Sequence, residues 1–401
     1  MIYYFCRLLF TLDNFWPIIL PFFFQRGRFE DLGVSRNSIL SKNLNYSWIE
    51  RQMITYVSLA QISTLIIAHG LLLKHRTHYF PRLPIFLSIT PPQSFFRFLW
   101  AFAIVIASVL CFHPTSTTSA ILLCAWSVLV IILDEHMICP QLVHFVVATM
   151  AICFESLDHL RMYTCLLYTL GGLQKLNIHF CTHGWLNFFR DILYIRFGWI
   201  APRRTSFVFG FAAAMFETCC GLCLCVPNLA SFAALHLILL HVAILTSVVG
   251  ANTYQPIWPW NILCIILLYN LFVSNQRNEN FWGVPSVSSL SECLVLCLEI
   301  CLFLIGPLLS WIELWPPNLS FQMHSYNFAD VRMIVNGKDF PFSDVALNYH
   351  TQPSLTFRGF SMWAQYLADF TQKDVKLIYR GRPESFSGKR RRNVVIFTAA
   401  Q

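Results

Sequence analysis

Long, unbroken apolar runs dominate this chain. No Asp, Glu, Lys or Arg occurs from Phe98 to Leu133, and none from Thr218 to Gln276. A helix on the surface of a soluble core carries a polar stripe at the helical period, and these runs carry none. They predict helices that cross a bilayer, each needing about 20 apolar residues. The spans fall at about Met53–Leu73, Phe95–Phe112, Ala120–Leu133, Leu142–Leu157, Leu160–Leu176, Thr205–Val226, Leu229–Gly250, Trp258–Val273 and Cys293–Ile312. The segment Leu142–Leu176 carries Glu155, Asp158, Arg161 and Lys175, so its two short spans count less firmly than the others. Met1–Phe24 is apolar but interrupted by Asp13, Asn14 and Pro17. It reads as a span, an interfacial helix or an uncleaved signal anchor, since no Ala-x-Ala-like cleavage site follows. Arg26–Arg51 reads as a basic loop, and Trp185–Trp199 as an interfacial helix.

The fold class predicted is therefore an all-α polytopic membrane protein, a bundle of about eight or nine transmembrane helices with a small soluble tail. Three parts follow: 1–52, an apolar segment and basic loop; 53–312, the membrane domain; and 313–401, the tail. The tail's 89 residues hold 11 Lys/Arg and 7 Asp/Glu. Within it, Val331–Val335 followed by Asn336-Gly337 reads as a strand entering a hairpin turn. Ser361–Phe370 reads as an amphipathic helix and Val375–Tyr379 as a second strand. Gly388–Arg392 is a basic run facing solvent or headgroups.

Composition agrees. Apolar residues make up 56% and charged ones only 12%, against about 25% charged in soluble domains. A soluble enzyme, a disordered chain and a coiled coil are excluded. So is a transmembrane β-barrel, whose strands alternate. The net charge of +8 is not a nucleic-acid signal, because the basic residues sit in loops and tail, where they set topology and meet lipid headgroups. The partner expected is the lipid bilayer, in a multi-pass arrangement in an inner or plasma membrane. The fifteen cysteines lie mostly in apolar runs and read as small hydrophobes. Cys219, Cys220, Cys223 and Cys225, and the helical stripe Cys293, Cys297 and Cys301, fit helix packing better than a metal site.

Chemistry is carried by the few polar residues inside apolar runs. Lys175 closes Tyr168-Thr-Leu-Gly-Gly-Leu-Gln-Lys-Leu-Asn177, with Gly184-Trp185 beyond. It reads either as a lysine snorkelling to the interface or as a buried lysine acting as a base. Glu217 is a lone carboxylate within a span and a candidate partner for it. His236 and His241 are about 140° apart on a helix, which suits two hydrogen-bonded histidines better than a shared metal. Trp258-Pro259-Trp260-Asn261 opens a span. No phosphate-binding loop, Gly-x-Ser-x-Gly elbow or His-Glu-x-x-His occurs.

Taken in order, these segments resemble the vitamin K-dependent gamma-carboxylase-like, or HTTM, membrane proteins. The resemblance rests on Gly172-Leu-Gln-Lys-Leu-Asn177 with its following Trp, and on the preceding Leu133-Asp134 and Pro140-Gln141. Glu217, His236, Trp258-Pro-Trp-Asn261 and Asn318–Asn327 complete it. It spans roughly Phe95–Asn327. It implies that Lys175 is the base that deprotonates a quinol, with Glu217 and His236 as polar helpers and a quinone-type lipid as cofactor or substrate. Gln141 stands where the carboxylase has a histidine, with His144 nearby but out of register, and the motif ends Leu-Asn instead of Leu-Asp. The carboxylase binds its peptide with a large domain after the membrane region. The 89-residue tail therefore points to the oxidation half of that chemistry and not to peptide carboxylation. The alternative is a non-catalytic membrane scaffold, assembly factor or transporter component, with Lys175 and Glu217 as a structural ion pair.

Overall fold

The computed structural model describes residues 39–67, 92–133, 140–153, 157–185, 203–251, 257–274, 299–309, 330–339, 357–380 and 392–398, with single positions between 285 and 297. Ten helices and four strands are defined among them. The first group is apolar: α1 (Ile39–Ile67), α2 (Gln93–Phe112), α3 (Thr117–Leu133), α4 (Pro140–Cys153) and α5 (Leu157–Lys175). It continues with α6 (Arg203–Leu224), α7 (Pro227–Ala251), α8 (Ile257–Leu268) and the short α9 (Gly306–Leu309). Wider π turns follow α5 at Phe180–Gly184, follow α8 at Tyr269–Val273 and precede α9 at Cys301–Ile305. Met1–Phe24 and nearly all of Trp185–Trp199 lie outside the described residues.

Three of these helices are long and apolar enough to cross a membrane: Ser94–Phe112, Arg204–Leu224 and Pro227–Ser247. Thr117–Val130, Leu142–Ile152 and Trp258–Val273 are apolar but shorter. Among the described residues the expected eight or nine spans are not all reached on length: α3 has 17 residues and α4 has 14, below the roughly 20 that a perpendicular crossing needs. The outer faces carry large exposed apolar side chains that no described residue covers, among them Phe98, Val105, Val208, Phe232 and Leu239. An exposed apolar surface of this extent suits lipid. Helix α1 also begins inside the stretch expected to be a loop. Leu40, Leu44 and Trp48 recur every fourth residue there without a Pro or Gly, a helical pattern that the basic residues obscure.

Helix α1 packs against α2, α4 and α8, and α5 packs against α4 and α6. Among the described helices, α5 and α6 share the most extensive contact. A Cβ on Gly172 would lie 2.5 Å from the backbone nitrogen of Thr218 and 2.8 Å from the Ala214 carbonyl. One on Gly221 would lie 2.6 Å from Thr169 Oγ1. Ala214, Thr218 and Gly221 thus form a small-residue stripe along α6 that lets the two backbones meet, and Gly210 lets the π turn approach α6 at Cys181. The C-terminal carbonyls of α8 and its π turn are taken by side chains from other helices. Arg161 Nε donates to Leu271 O at 3.2 Å and Ser231 Oγ to Phe272 O at 2.6 Å, which satisfies groups that every helix end leaves without intrahelical partners.

The remainder is not helical alone. Strands β1 (Asp330–Val335), β2 (Lys338–Asp339), β3 (Val375–Arg380) and β4 (Arg392–Phe397) form an antiparallel sheet in the order β2-β1-β3-β4, with α10 (Phe357–Thr371) against it. Asn336 (φ 52°) and Gly337 (φ 77°) make the turn between β1 and β2, as their preference for the left-handed region predicts. Val331, Met333, Phe360, Trp363, Leu367, Val375 and Leu377 form a core of their own. The all-α expectation is corrected to this extent: alternating apolar positions in β1 and β3 give α10 one face to cover.

Candidate functional site

The segment from Tyr168 to Trp185 is tied to the bundle residue by residue. Gly172 sets the approach of α6. Gln174 Nε2 donates to Pro307 O at 3.2 Å, which fixes α9 against α5. Asn177 ends α5 and starts the next turn: its Nδ2 donates to Gln174 O at 2.9 Å and its Oδ1 accepts from Phe180 N at 2.9 Å. That second bond is an N-cap, a role that Asn and Asp share, so the Asn at this place has a local reason. Trp185 Nε1 donates to Ser206 O at 2.7 Å, and Ser206 Oγ to Thr182 O at 2.7 Å. The π turn is thereby bound to the first turn of α6.

This scaffold aims Lys175 at Glu217. Lys175 Nζ lies 2.6 Å from Glu217 Oε1 and 2.5 Å from Oε2. The two side chains are 16% and 13% exposed, so the pair is largely desolvated. Glu217, the candidate partner named from the sequence, engages Lys175 with both oxygens of its carboxylate.

A second polar chain lies one layer inward and is fully buried. Tyr168 Oη is 2.6 Å from His241 Nε2, and His241 Nδ1 is 2.7 Å from Asn261 Oδ1. An amide oxygen only accepts, so Nδ1 carries the proton and Nε2 presents its lone pair to the tyrosine hydroxyl. His241 is thus oriented by Asn261 and hydrogen-bonded to a phenol. That is the order orienter, base, proton donor. Tyr168 and Lys175 lie about two turns apart along α5, so the ion pair and the triad share one face of that helix. Trp260 stands edge-on to both His241 and His144, with ring centroids 6.1 Å away in each case. The Trp258–Asn261 segment contributes Trp260 as a wall and Asn261 as the orienter. Tyr168→Phe is expected to leave His241 Nε2 without its partner, at a cost of about 1–3 kcal/mol. A drop in the thermal midpoint of the purified protein would register it, and an unchanged midpoint would mean the bond contributes nothing.

The structure does not bring His236 to this site. Its Nδ1 lies 2.8 Å from Phe232 O in its own turn, and its ring stacks beside Phe232. The histidine at the site is His241, five residues on, which the helical geometry turns to the opposite side. Gln141 lies in the first turn of α4. His144, a few residues further, is buried in the interior and stacks on Tyr163. Tyr168 and Asn261 are not singled out by their chemistry in the sequence, because a lone Tyr or Asn in an apolar helix reads as an interface anchor or a cap.

A further ionic cluster marks the start of α5. His159 Nδ1 meets Glu299 Oε2 at 2.5 Å, and Arg161 Nη1 donates to Asp158 Oδ1 at 2.6 Å. The signal for Glu299 is the one Glu217 gives: a carboxylate within a Cys- and Leu-rich apolar run. Among the described residues no three His, Cys, Asp or Glu side chains converge as a metal site would require. Cys293, Cys297 and Cys301 face outward. Comparison of the chain with protein-family models, with curated proteins and with solved structures finds no match.

Proposed function

We propose that this chain is a multi-pass integral membrane protein, with the shorter apolar helices also crossing. On this reading its interior acts on a hydrophobic, quinone-like substrate at the Lys175–Glu217 pair. The observation that supports it is the pair itself, a desolvated ammonium–carboxylate contact beside an oriented Tyr168–His241–Asn261 chain. Burying two charges costs more than packing apolar residues of the same volume, so a pair kept in an apolar bundle calls for a role. With Lys175 ionised, the Glu217 carboxylate takes the proton of an acidic substrate hydroxyl. The Lys175 ammonium stabilises the oxyanion that forms. The base is then the pair, not Lys175 alone. Tyr168 contributes an oriented hydroxyl, and His236 has no part.

The closed, two-oxygen geometry also favours a second reading, in which the pair only fixes α5 on α6 and the protein is a scaffold. The double variant K175M/E217M separates the two, because it removes both charges and leaves none unpaired. In lipid nanodiscs supplied with a reduced long-chain quinone and with dioxygen as the two-electron oxidant, the wild-type protein is expected to convert the quinol to quinone, the dioxygen leaving as hydrogen peroxide, while the folded double variant does not. Equal rates for the two, or no consumption by the wild type, would reject the enzymatic reading.

A further inference from the structure

Two cysteines meet across the seam between α5 and α6. The helices run antiparallel there: Gly172 faces Thr218, and Thr169 faces Gly221. One turn back along α5 and one turn on along α6 bring Cys165 opposite Cys225, and a hydrogen bond joins the two thiols. Cys225 continues the line of Ala214, Thr218 and Gly221, whereas Cys219, Cys220 and Cys223 point roughly 120° or more away from it around the helix. Its Sγ donates to Gly221 O at 3.9 Å, which keeps the side chain in that line. Both thiols are free, and neither takes part in the ion pair or the Tyr168 triad.

The two thiols differ in reach. Cys165 is 1% exposed. Cys225 is half-buried and lies in the turn between Leu224, the last residue of α6, and Pro227, the first of α7. Both helices are long and apolar enough to cross a bilayer, so the turn that joins them lies at the membrane surface, open to water-borne reagents. Asp158, about two turns beyond Cys165 toward the start of α5, is 44% exposed, which agrees with that level. A reachable thiol set against a buried one is the arrangement of a redox-active pair.

We infer that Cys165 and Cys225 are a dithiol–disulfide redox centre oxidised by a hydroperoxide. The Cys225 sulfur attacks a peroxide oxygen and the O–O bond breaks. With hydrogen peroxide, the leaving hydroxide takes the Cys225 proton and departs as water. The sulfenic acid left on Cys225 faces Cys165. The Cys165 sulfur attacks it, the S–S bond forms, the S–O bond breaks, and a second water leaves with the Cys165 proton. The two thiols lose two electrons and the peroxide gains them. A disulfide needs Cα atoms within about 7 Å, and the backbone contact at Gly221, one turn away, brings the helices that close. The bond ties α5 to α6 on the seam that carries Lys175 and Glu217, but its formation does not depend on what that pair does.

The test exposes the reduced full-length protein in nanodiscs to hydrogen peroxide, followed by non-reducing digestion and mass spectrometry. A peptide of α5 is expected joined to one of the α6–α7 turn through Cys165 and Cys225, with the loss of two alkylatable thiols, both restored by dithiothreitol. C165A should lose the link and leave Cys225 as a sulfenic acid that dimedone traps. C225A should lose the link and leave Cys165 open to alkylation after denaturation. The wild-type digest decides the matter even where a variant fails to fold. K175M/E217M should form the link as the wild type does, so a failure of the quinol reaction leaves this result intact. Three outcomes overturn the proposal: all fifteen thiols stay reduced, Cys225 joins Cys219, Cys220 or Cys223 in place of Cys165, or Cys225 proceeds to the sulfinic acid with no link.

Discussion

Lys175→Met alone is expected to destabilise the protein by about 3–5 kcal/mol, the range found when one partner of a buried ion pair is removed. Glu217 would keep its charge, 13% exposed, with no cation at 2.5 Å. Glu217→Met should cost a similar amount for the mirror-image reason. The double substitution should recover most of the loss, because two methionines fill the space and no charge is left buried. Thermal unfolding of the four proteins in one detergent, followed by tryptophan fluorescence, closes the cycle. A double variant as unstable as the sum of the singles would show that the two residues do not act on each other, and the 2.5 Å contact would then carry no coupling.

Gly172→Leu should be nearly as damaging, by a different route. Inserting methylenes into a packed interior typically costs about 1–3 kcal/mol and sometimes more. Here the obstacle is backbone: the Thr218 nitrogen at 2.5 Å and the Ala214 carbonyl at 2.8 Å from the added Cβ. Neither can rotate away, so α5 and α6 must part. Lys175 and Glu217 each lie less than a turn from this contact, on the same two helices, so separation breaks the ion pair as well. The expected result is a lost or broadened monodisperse peak on size exclusion and a lowered thermal midpoint. Thr218→Ala removes the neighbouring hydroxyl but not the backbone nitrogen, so it should not rescue Gly172→Leu. A full rescue would show that side chains, not backbones, set the distance between the helices.

How far the sequence reveals this site depends on how rare a residue type is in its surroundings. Lys175 and Glu217 are conspicuous because apolar runs tolerate almost no charge, and their pairing is the natural guess. His241 is visible but not separable from His236 by composition alone; which of the two faces inward is decided by packing between α7, α5 and α8. Tyr168 and Asn261 are hidden for another reason. Their partner His241 is 73 and 20 residues away, and nothing local distinguishes a tyrosine that donates to a buried imidazole from one at a lipid interface. In the tail, Asn336-Gly337 announces its turn through its backbone preference, whereas β4 is masked by the basic run that leads into it, although Val394, Val395 and Ile396 carry a strand's β-branched pattern. The small residues Ala214, Thr218 and Gly221 are present in the sequence at helical spacing, and their meaning appears only once Gly172 and Thr169 are seen opposite them.

Helix α5 is pinned by polar contacts at both ends: Asp158, His159 and Arg161 at its start and Lys175 at its finish. Fourteen positions separate Arg161 from Lys175, which at 1.5 Å per residue is about 21 Å. Each end is tied to a different part of the chain: His159 to Glu299 and Arg161 to the Leu271 carbonyl at the start, Lys175 to Glu217 at the finish. Two anchor points about 21 Å apart on one rigid rod leave α5 no freedom to slide along its axis or roll about it unless one set of contacts breaks. A disturbance at either end is therefore delivered to the other as a shift of the whole helix, not absorbed locally.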